Sequence, residues 1–119
     1  MAYSKISNKK VRETIYNKYG GKCAYCGCSL ENKFTIDHII PKRRYPTELE
    51  NGKDDINNYN PCCYSCNASK SSYELEDWRK ALIRKYDWLL KHQSSFNIIV
   101  RFGIVKKQTE SVVFYFERF

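Results

Sequence analysis

Apolar residues recur every three or four positions from Leu75 through Trp78, Leu82 and Tyr86 to Leu89, which predicts a helix with one buried stripe. Ser71 and Glu74 offer a capping-box pattern ahead of it. Glu76 and Asp77 lie early and Arg84, Lys85 and Lys91 late, the order a helix dipole favours, and His92 reads as a terminal residue answering the same dipole. A shorter stretch puts Val11, Ile15 and Tyr19 on one face and predicts a helix over 7–19, with Ser7 as N-cap and Gly20-Gly21 as the stop. Elsewhere the pattern turns to β-branched and aromatic runs. Phe34 to Ile40 predicts a strand ended by Pro41, and Tyr59 to Cys62 a short strand pairing back on it, with a helix starting near Cys63. Between the strands, residues 41–57 read as a long polar loop carrying Pro46, Gly52 and Asp54-Asp55; loops of that length are uncommon and usually functional. Ile98 to Phe102 and Val112 to Phe116, joined through Lys107-Gln108-Thr109, predict a C-terminal β-hairpin packed on the rest.

A chain of 119 residues is expected to form one domain, with enough apolar (42%) and aromatic (15%) content for a packed globule. The formal charge of +8 changes the picture: it points to a polyanionic partner, nucleic acid first, because Lys and Arg release the counterions condensed on phosphates. No apolar segment approaches membrane-spanning length, so no membrane partner is expected. Residues 1–22 hold six Lys or Arg against one Glu, either a solvated helix face or a phosphate-contacting arm. The start MAYSKISNKK has no apolar core of a secretory signal, which places the chain in the cytoplasm with reduced thiols.

Six cysteines in such a chain favour metal over a disulfide scaffold. Cys23-x-x-Cys26 and Cys63-x-x-Cys66 are the two pairs that one tetrahedral structural zinc needs, the chain between them forming a loop. Cys62 competes with its neighbour, but only Cys63 has the two-residue spacing to Cys66. Cys28 and Cys62 are left as small buried side chains. A structural metal also couples its binding free energy to the folding of a short chain.

Asp37-His38, Asn58 and Cys66-Asn67-x-x-Lys70, set inside this cysteine frame, resemble the HNH endonuclease family, in particular its small zinc-containing phage and bacterial members. Ile36-Asp37-His38-Ile39-Ile40-Pro41 is similar to that family's first strand, Asp54 to Pro61 to its loop exit, and Cys63 to Lys70 to its helix. The likeness covers roughly residues 20–72. It implies an α+β chain with a ββα-metal core of about 20–72, flanked by helices and by the helix and hairpin of 73–119. It further implies His38 as the general base activating water, Asp37 and Asn67 as ligands of a catalytic divalent cation, and Asn58 as the residue holding the loop. Many members carry histidine where this chain has Asn67. An amide oxygen there shifts the expected ion toward Mg²⁺ or Mn²⁺ and away from softer metals.

The chemistry is self-consistent. Phosphodiester hydrolysis needs an activated water, which a histidine supplies near neutral pH, and charge neutralisation at the phosphate, which a divalent cation supplies. Asn67 and Lys70, three apart on a helix, share a face, so Lys70 is expected to meet a phosphate near the metal. Lys42, Arg43 and Arg44 are expected to add backbone contacts. The resulting expectation is a hydrolase cutting double-stranded DNA, acting as a monomer or weak dimer in a bacterial or phage-infected cell. The rival class is a non-catalytic zinc-dependent nucleic-acid-binding module. One tension is visible in advance: adjacent strand residues point to opposite faces, so Asp37 and His38 serve one site only if the strand twists or ends there.

Overall fold

The computed structural model describes residues 3–4, 8–43, 47–107, 109 and 111–119. They form two compact units, Met1–Leu75 with Val113–Phe119, and Glu76–Val112.

The first unit is built on a three-stranded antiparallel sheet, β1 (Tyr3–Ser4), β2 (Thr35–His38) and β3 (Tyr59–Cys62), in the order β1-β2-β3. In the β2–β3 ladder Asp37 lies opposite Asn60 and His38 opposite Tyr59. Every residue of β2 and β3 is buried, polar ones included. α1 (Lys9–Asn17) is capped by Asn8, whose side chain accepts from the Val11 N–H at 3.1 Å. The proposed Ser7 cap lies outside the described residues. Ile15 is the fully buried residue of this helix, and Gly20 and Gly21 end it with positive φ, as the sequence indicated. α2 (Tyr64–Lys70) follows β3 directly and completes a ββα core.

The last residues of the chain return to this unit. Tyr115 and Phe116 donate their backbone N–H groups to the carbonyls of Tyr25 and Ala24, at 3.0 and 2.7 Å. The packing of the tail on the cysteine core is therefore as expected, but its conformation is not a strand: Tyr115–Arg118 is a 3₁₀ turn opened by the Glu117 carboxylate accepting from the Phe114 N–H at 2.8 Å.

In the second unit α3 (Leu75–His92) keeps the predicted stripe: Trp78 is buried and Leu82, Tyr86 and Leu89 are half-buried. The capping box expected before it does not form. Ser71 instead closes α2 in a left-handed conformation, and the Glu74 carboxylate takes the guanidinium of Arg43. The predicted hairpin is also replaced. Its first strand is part of α4 (Ser94–Arg101), and Gln108 of its turn lies outside the described residues. The helix wins despite the β-branched run because its end is capped. Gly103 (φ 77°) donates to Val100 O at 3.0 Å and Ile104 to Ile99 O at 2.9 Å, a Schellman pair. Phe96, Ile99 and Val100 turn inward while Ile98 faces solvent, which is helical spacing. No helix of the described residues is long and apolar enough to cross a membrane.

Candidate active site

The sulfur atoms of Cys23, Cys26, Cys63 and Cys66 all lie within 4.8 Å of one another, with Cys26 and Cys63 Sγ 3.9 Å apart. Zinc–sulfur bonds of about 2.3 Å in a tetrahedron put thiolates about 3.8 Å apart, so the cluster fits one zinc. Backbone N–H groups favour the thiolate form. Tyr25 and Cys63 each donate to Cys23 Sγ at 3.4 Å, and Cys66 donates to Cys63 Sγ at 3.4 Å. Hydrogen bonds from the Cys62 and Cys66 thiols hold Cys23 well below the ordinary thiol range. Cys63 has two tasks, since the sulfur that caps α2 also belongs to the four-sulfur cluster. Gly27 is required in the first knuckle: its φ is 77°, and a Cβ there would sit 2.9 Å from the Tyr115 ring. Of the two spare cysteines, Cys62 is buried as expected, but Cys28 is exposed, next to the isolated Lys22–Ser29 bridge.

Asp37 is fully buried at the centre of the sheet. Its Oδ2 accepts from the Tyr25 hydroxyl at 2.6 Å and pairs with Lys70 Nζ at 3.0 Å. Burial pushes its carboxyl pKa up, and the Lys70 charge opposes that shift. Burial first, then the Asp37 charge, raises the Tyr25 phenol well above its usual range, so it stays a proton donor. Asp37 Oδ1 is buried without a hydrogen-bond partner among the described residues, and so is Asn67 Oδ1 on α2. Such orphaned acceptors are costly in a folded protein unless something fills them, and a carboxylate oxygen and an amide oxygen are both suitable ligands for a hard cation.

His38, the last residue of β2, is 1% exposed, and its ring stands edge-on to Tyr59 at 5.3 Å. His38 Nε2 lies 2.8 Å from Asp54 Oδ1, and Lys42 Nζ lies 2.7 Å from Asp54 Oδ2. Lys42, then His38, draw the exposed Asp54 carboxyl below its ordinary pKa. β2 ends at His38, the condition under which adjacent residues can serve one site. Asp37 turns to Tyr25 and Lys70, whereas His38 turns to Tyr59 and Asp54, so the adjacent side chains do not share partners.

Asn58 holds the loop ends together. Its side chain accepts from the Ile40 N–H at 2.9 Å and donates to the carbonyls of Ile40 and Lys53 at 3.0 and 3.1 Å; its own carbonyl takes the Ile39 N–H at 2.9 Å. Gly52 lets the loop close. It donates to Pro41 O at 2.8 Å, and a Cβ there would overlap Ile40 O at 1.8 Å. This closure presents Asp54, one residue further along than Lys53, to His38.

The basic residues behave differently from expectation. Lys70 does not face solvent: it is fully buried, its ammonium between Asp37 and the His38 carbonyl at 3.0 Å. The seven-residue helix ends with Lys70 over the sheet, and the buried Asp37 draws the charge inward. Arg43 is likewise engaged, with Glu74 and with the Ser72 carbonyl at 2.9 Å, and so braces the loop. Lys42 is half exposed and remains available as a surface cation beside its Asp54 partner. Arg44 lies outside the described residues. Tyr25 and Asp54 were not singled out from the sequence. Tyr25 reads there as a spacer between ligands, and no spacing rule connects a loop carboxylate with a histidine 16 residues earlier.

Residues 23–72 match the HNH endonuclease family model, so the resemblance read from the sequence holds over that stretch. A curated relative, the "SPbeta prophage-derived putative HNH endonuclease YoqL" of Bacillus subtilis (strain 168), is 33% identical over 63 residues. The aligned stretch covers 50% of this chain and 27% of the relative, so the chain spans about a quarter of that protein's length. No solved structure matches the chain significantly.

Proposed function

We propose, on the premise that residues 23–72 are an HNH endonuclease segment, that the chain is a metal-dependent endonuclease hydrolysing phosphodiester bonds in DNA. The observation that carries this reading is the pair of buried, partnerless oxygens, Asp37 Oδ1 and Asn67 Oδ1. They belong to the two residues expected to hold a cation, and a carboxylate with an amide oxygen suits Mg²⁺ or Mn²⁺. When bound, such an ion supplies Lewis-acid stabilisation of charge on the phosphate and on the leaving oxygen.

The remaining work falls to the chain itself. His38 takes the proton of the attacking water. With Nε2 held against Asp54, Nδ1 is the nitrogen that accepts it. Asp54 orients the ring and stabilises the imidazolium once formed, the part a carboxylate partner plays for a histidine base. Tyr59 limits ring rotation by edge-on contact, and Asn58 fixes the backbone that follows His38. The cysteine cluster, as a structural zinc site, sets α2 and the first knuckle against β2 and β3.

The alternative is a zinc-dependent module that binds nucleic acid without cutting it, and such a module has no use for the Asp37, His38 and Asn67 set with its two partnerless oxygens. Lys70 and Arg43, expected to contact phosphate under either reading, are engaged inside the protein and do not separate the two. Plasmid nicking with Mg²⁺, Mn²⁺ or chelator, on wild type and His38→Ala, tests the choice. The expected result is divalent-dependent nicking that drops ~10²- to 10⁴-fold in His38→Ala with zinc content unchanged. Nicking by His38→Ala at the wild-type rate would overturn the assigned base. Wild-type protein that binds DNA in a gel shift yet fails to nick with every divalent ion tested would establish the binding module instead.

A further inference from the structure

We infer that Tyr25 is a positioning residue that ties the cysteine frame to the divalent-cation site by capping one oxygen of Asp37. The inference rests on the reading of Asp37 as a cation ligand and adds to it a residue with no ligand atom of its own.

Tyr25 sits between two zinc-site cysteines and belongs to both regions. Its backbone N–H donates to Cys23 Sγ at 3.4 Å, and its hydroxyl donates to Asp37 Oδ2 at 2.6 Å. The ring cannot easily swing. It is 3% exposed, edge-on to Phe114 at 5.6 Å and to Phe116 at 5.8 Å, and its carbonyl accepts from the Tyr115 N–H at 3.0 Å. Lys70 reaches the same Asp37 oxygen from the other element, at 3.0 Å. Oδ2 thus has two strong donors, and Oδ1 has no partner among the described residues.

A carboxylate with two equivalent oxygens has no intrinsic preference for which one it offers. Two donors on Oδ2 remove that choice and leave Oδ1 as a single, oriented donor. Orientation of a ligand by a hydrogen-bonding neighbour is a general means of tuning metal affinity. Here the neighbour is anchored by the cysteine site, so the order of the first knuckle is transmitted to the second cation through one phenol.

Tyr25→Phe keeps the ring and its packing and removes only the hydroxyl. Mn²⁺ binding to the zinc-loaded protein, measured by electron paramagnetic resonance without nucleic acid, gives a readout independent of activity. The expected result is unchanged zinc content, a Mn²⁺ Kd raised about three- to tenfold, the size of one lost hydrogen bond, and a matching rise in the Mn²⁺ needed for half-maximal nicking. The rate at saturating Mn²⁺ should stay near wild type; a purely structural role would lower that rate and leave the Mn²⁺ dependence in place. An unchanged Mn²⁺ Kd in Tyr25→Phe overturns the inference. Asp37→Ala separates the levels. If it binds Mn²⁺ like wild type, the ligand reading fails and the inference falls with it; if it loses Mn²⁺ while Tyr25→Phe retains full affinity, the inference alone falls. Should Tyr25→Phe not fold, 3-fluorotyrosine at position 25 of the wild-type chain serves instead. Its fluorine resonance should shift on Mg²⁺ titration, and a resonance unmoved at saturating Mg²⁺ overturns the inference.

Discussion

The cysteine-centred unit buries charge, and the helical unit from Glu76 to Val112 buries almost nothing completely. In the first, Asp37, His38, Asn60 and Lys70 lie beside Ile15, Ile36 and Phe114 in the interior. In the second, Trp78 is the one fully buried side chain among the described residues, and Phe102 and Ile104 stand 81% and 74% exposed. The difference separates two sources of order. A buried ion pair adds little net stability over apolar packing, because desolvation offsets the Coulombic gain. A unit that devotes its centre to such a pair needs order from elsewhere, and the thiolate cluster is placed to supply it. Among its described residues the helical unit holds no fully buried charge, and it relies on periodic apolar contacts and capped helix ends.

Zinc removal should break this contrast most sharply. A strong chelator, or Cys63→Ser, is expected to unfold the first unit outright, as for small domains whose metal contributes folding free energy. Circular dichroism should then keep most of the signal of α3 and α4; loss of all helical signal would show that the two units fold as one. Next in size is Lys70→Met, which leaves Asp37 charged, buried and without its cation. Denaturant unfolding should show a loss of about 3–5 kcal/mol, far beyond the effect expected had Lys70 been a surface contact to phosphate.

Gly103→Ala probes the helical unit. Its φ of 77° disfavours any Cβ although no atom lies within 4 Å of the position, so the cost should be about 1–2 kcal/mol in thermal unfolding. The smallest effect on stability is expected for Asn67→Ala, which removes an oxygen that bonds to nothing in the described residues. Its consequence should appear elsewhere, as a higher Mg²⁺ requirement for nicking with unchanged DNA affinity in chelator. A marked stability loss in Asn67→Ala, with no change in Mg²⁺ dependence, would return Asn67 to a structural role.

Local signals were readable where the chain carries its own punctuation. Cys-x-x-Cys spacing, the β-branched run before Pro41 and the stripe from Leu75 to Leu89 each announce an element through neighbouring residues. The α4 segment reads as a strand because Ile98, Ile99 and Val100 have β propensity, while the deciding signal is the Gly103 stop beyond them. The inward turn of Lys70 and Arg43 escapes a sequence reading for a related reason. Lys42, Arg43, Arg44 and Lys70 look alike in a sequence, and exposure separates those the structure describes.

The sequence by itself determined the set of chemical groups: four thiols in two pairs, an Asp-His step, Asn58 and Asn67, and a basic excess. Spacing within a few residues fixes which of these can meet, since strand and helix geometry is set by the local backbone. Only the tertiary structure decided which long-range neighbour each group takes. Asp54 reaches His38 because Gly52 and Asn58 close the loop, Tyr25 reaches Asp37 because the first knuckle packs against the sheet, and Lys70 turns inward because Asp37 is buried beneath it. Those pairings depend on burial and on chain closure over many residues, and neither is encoded in any short window of the sequence.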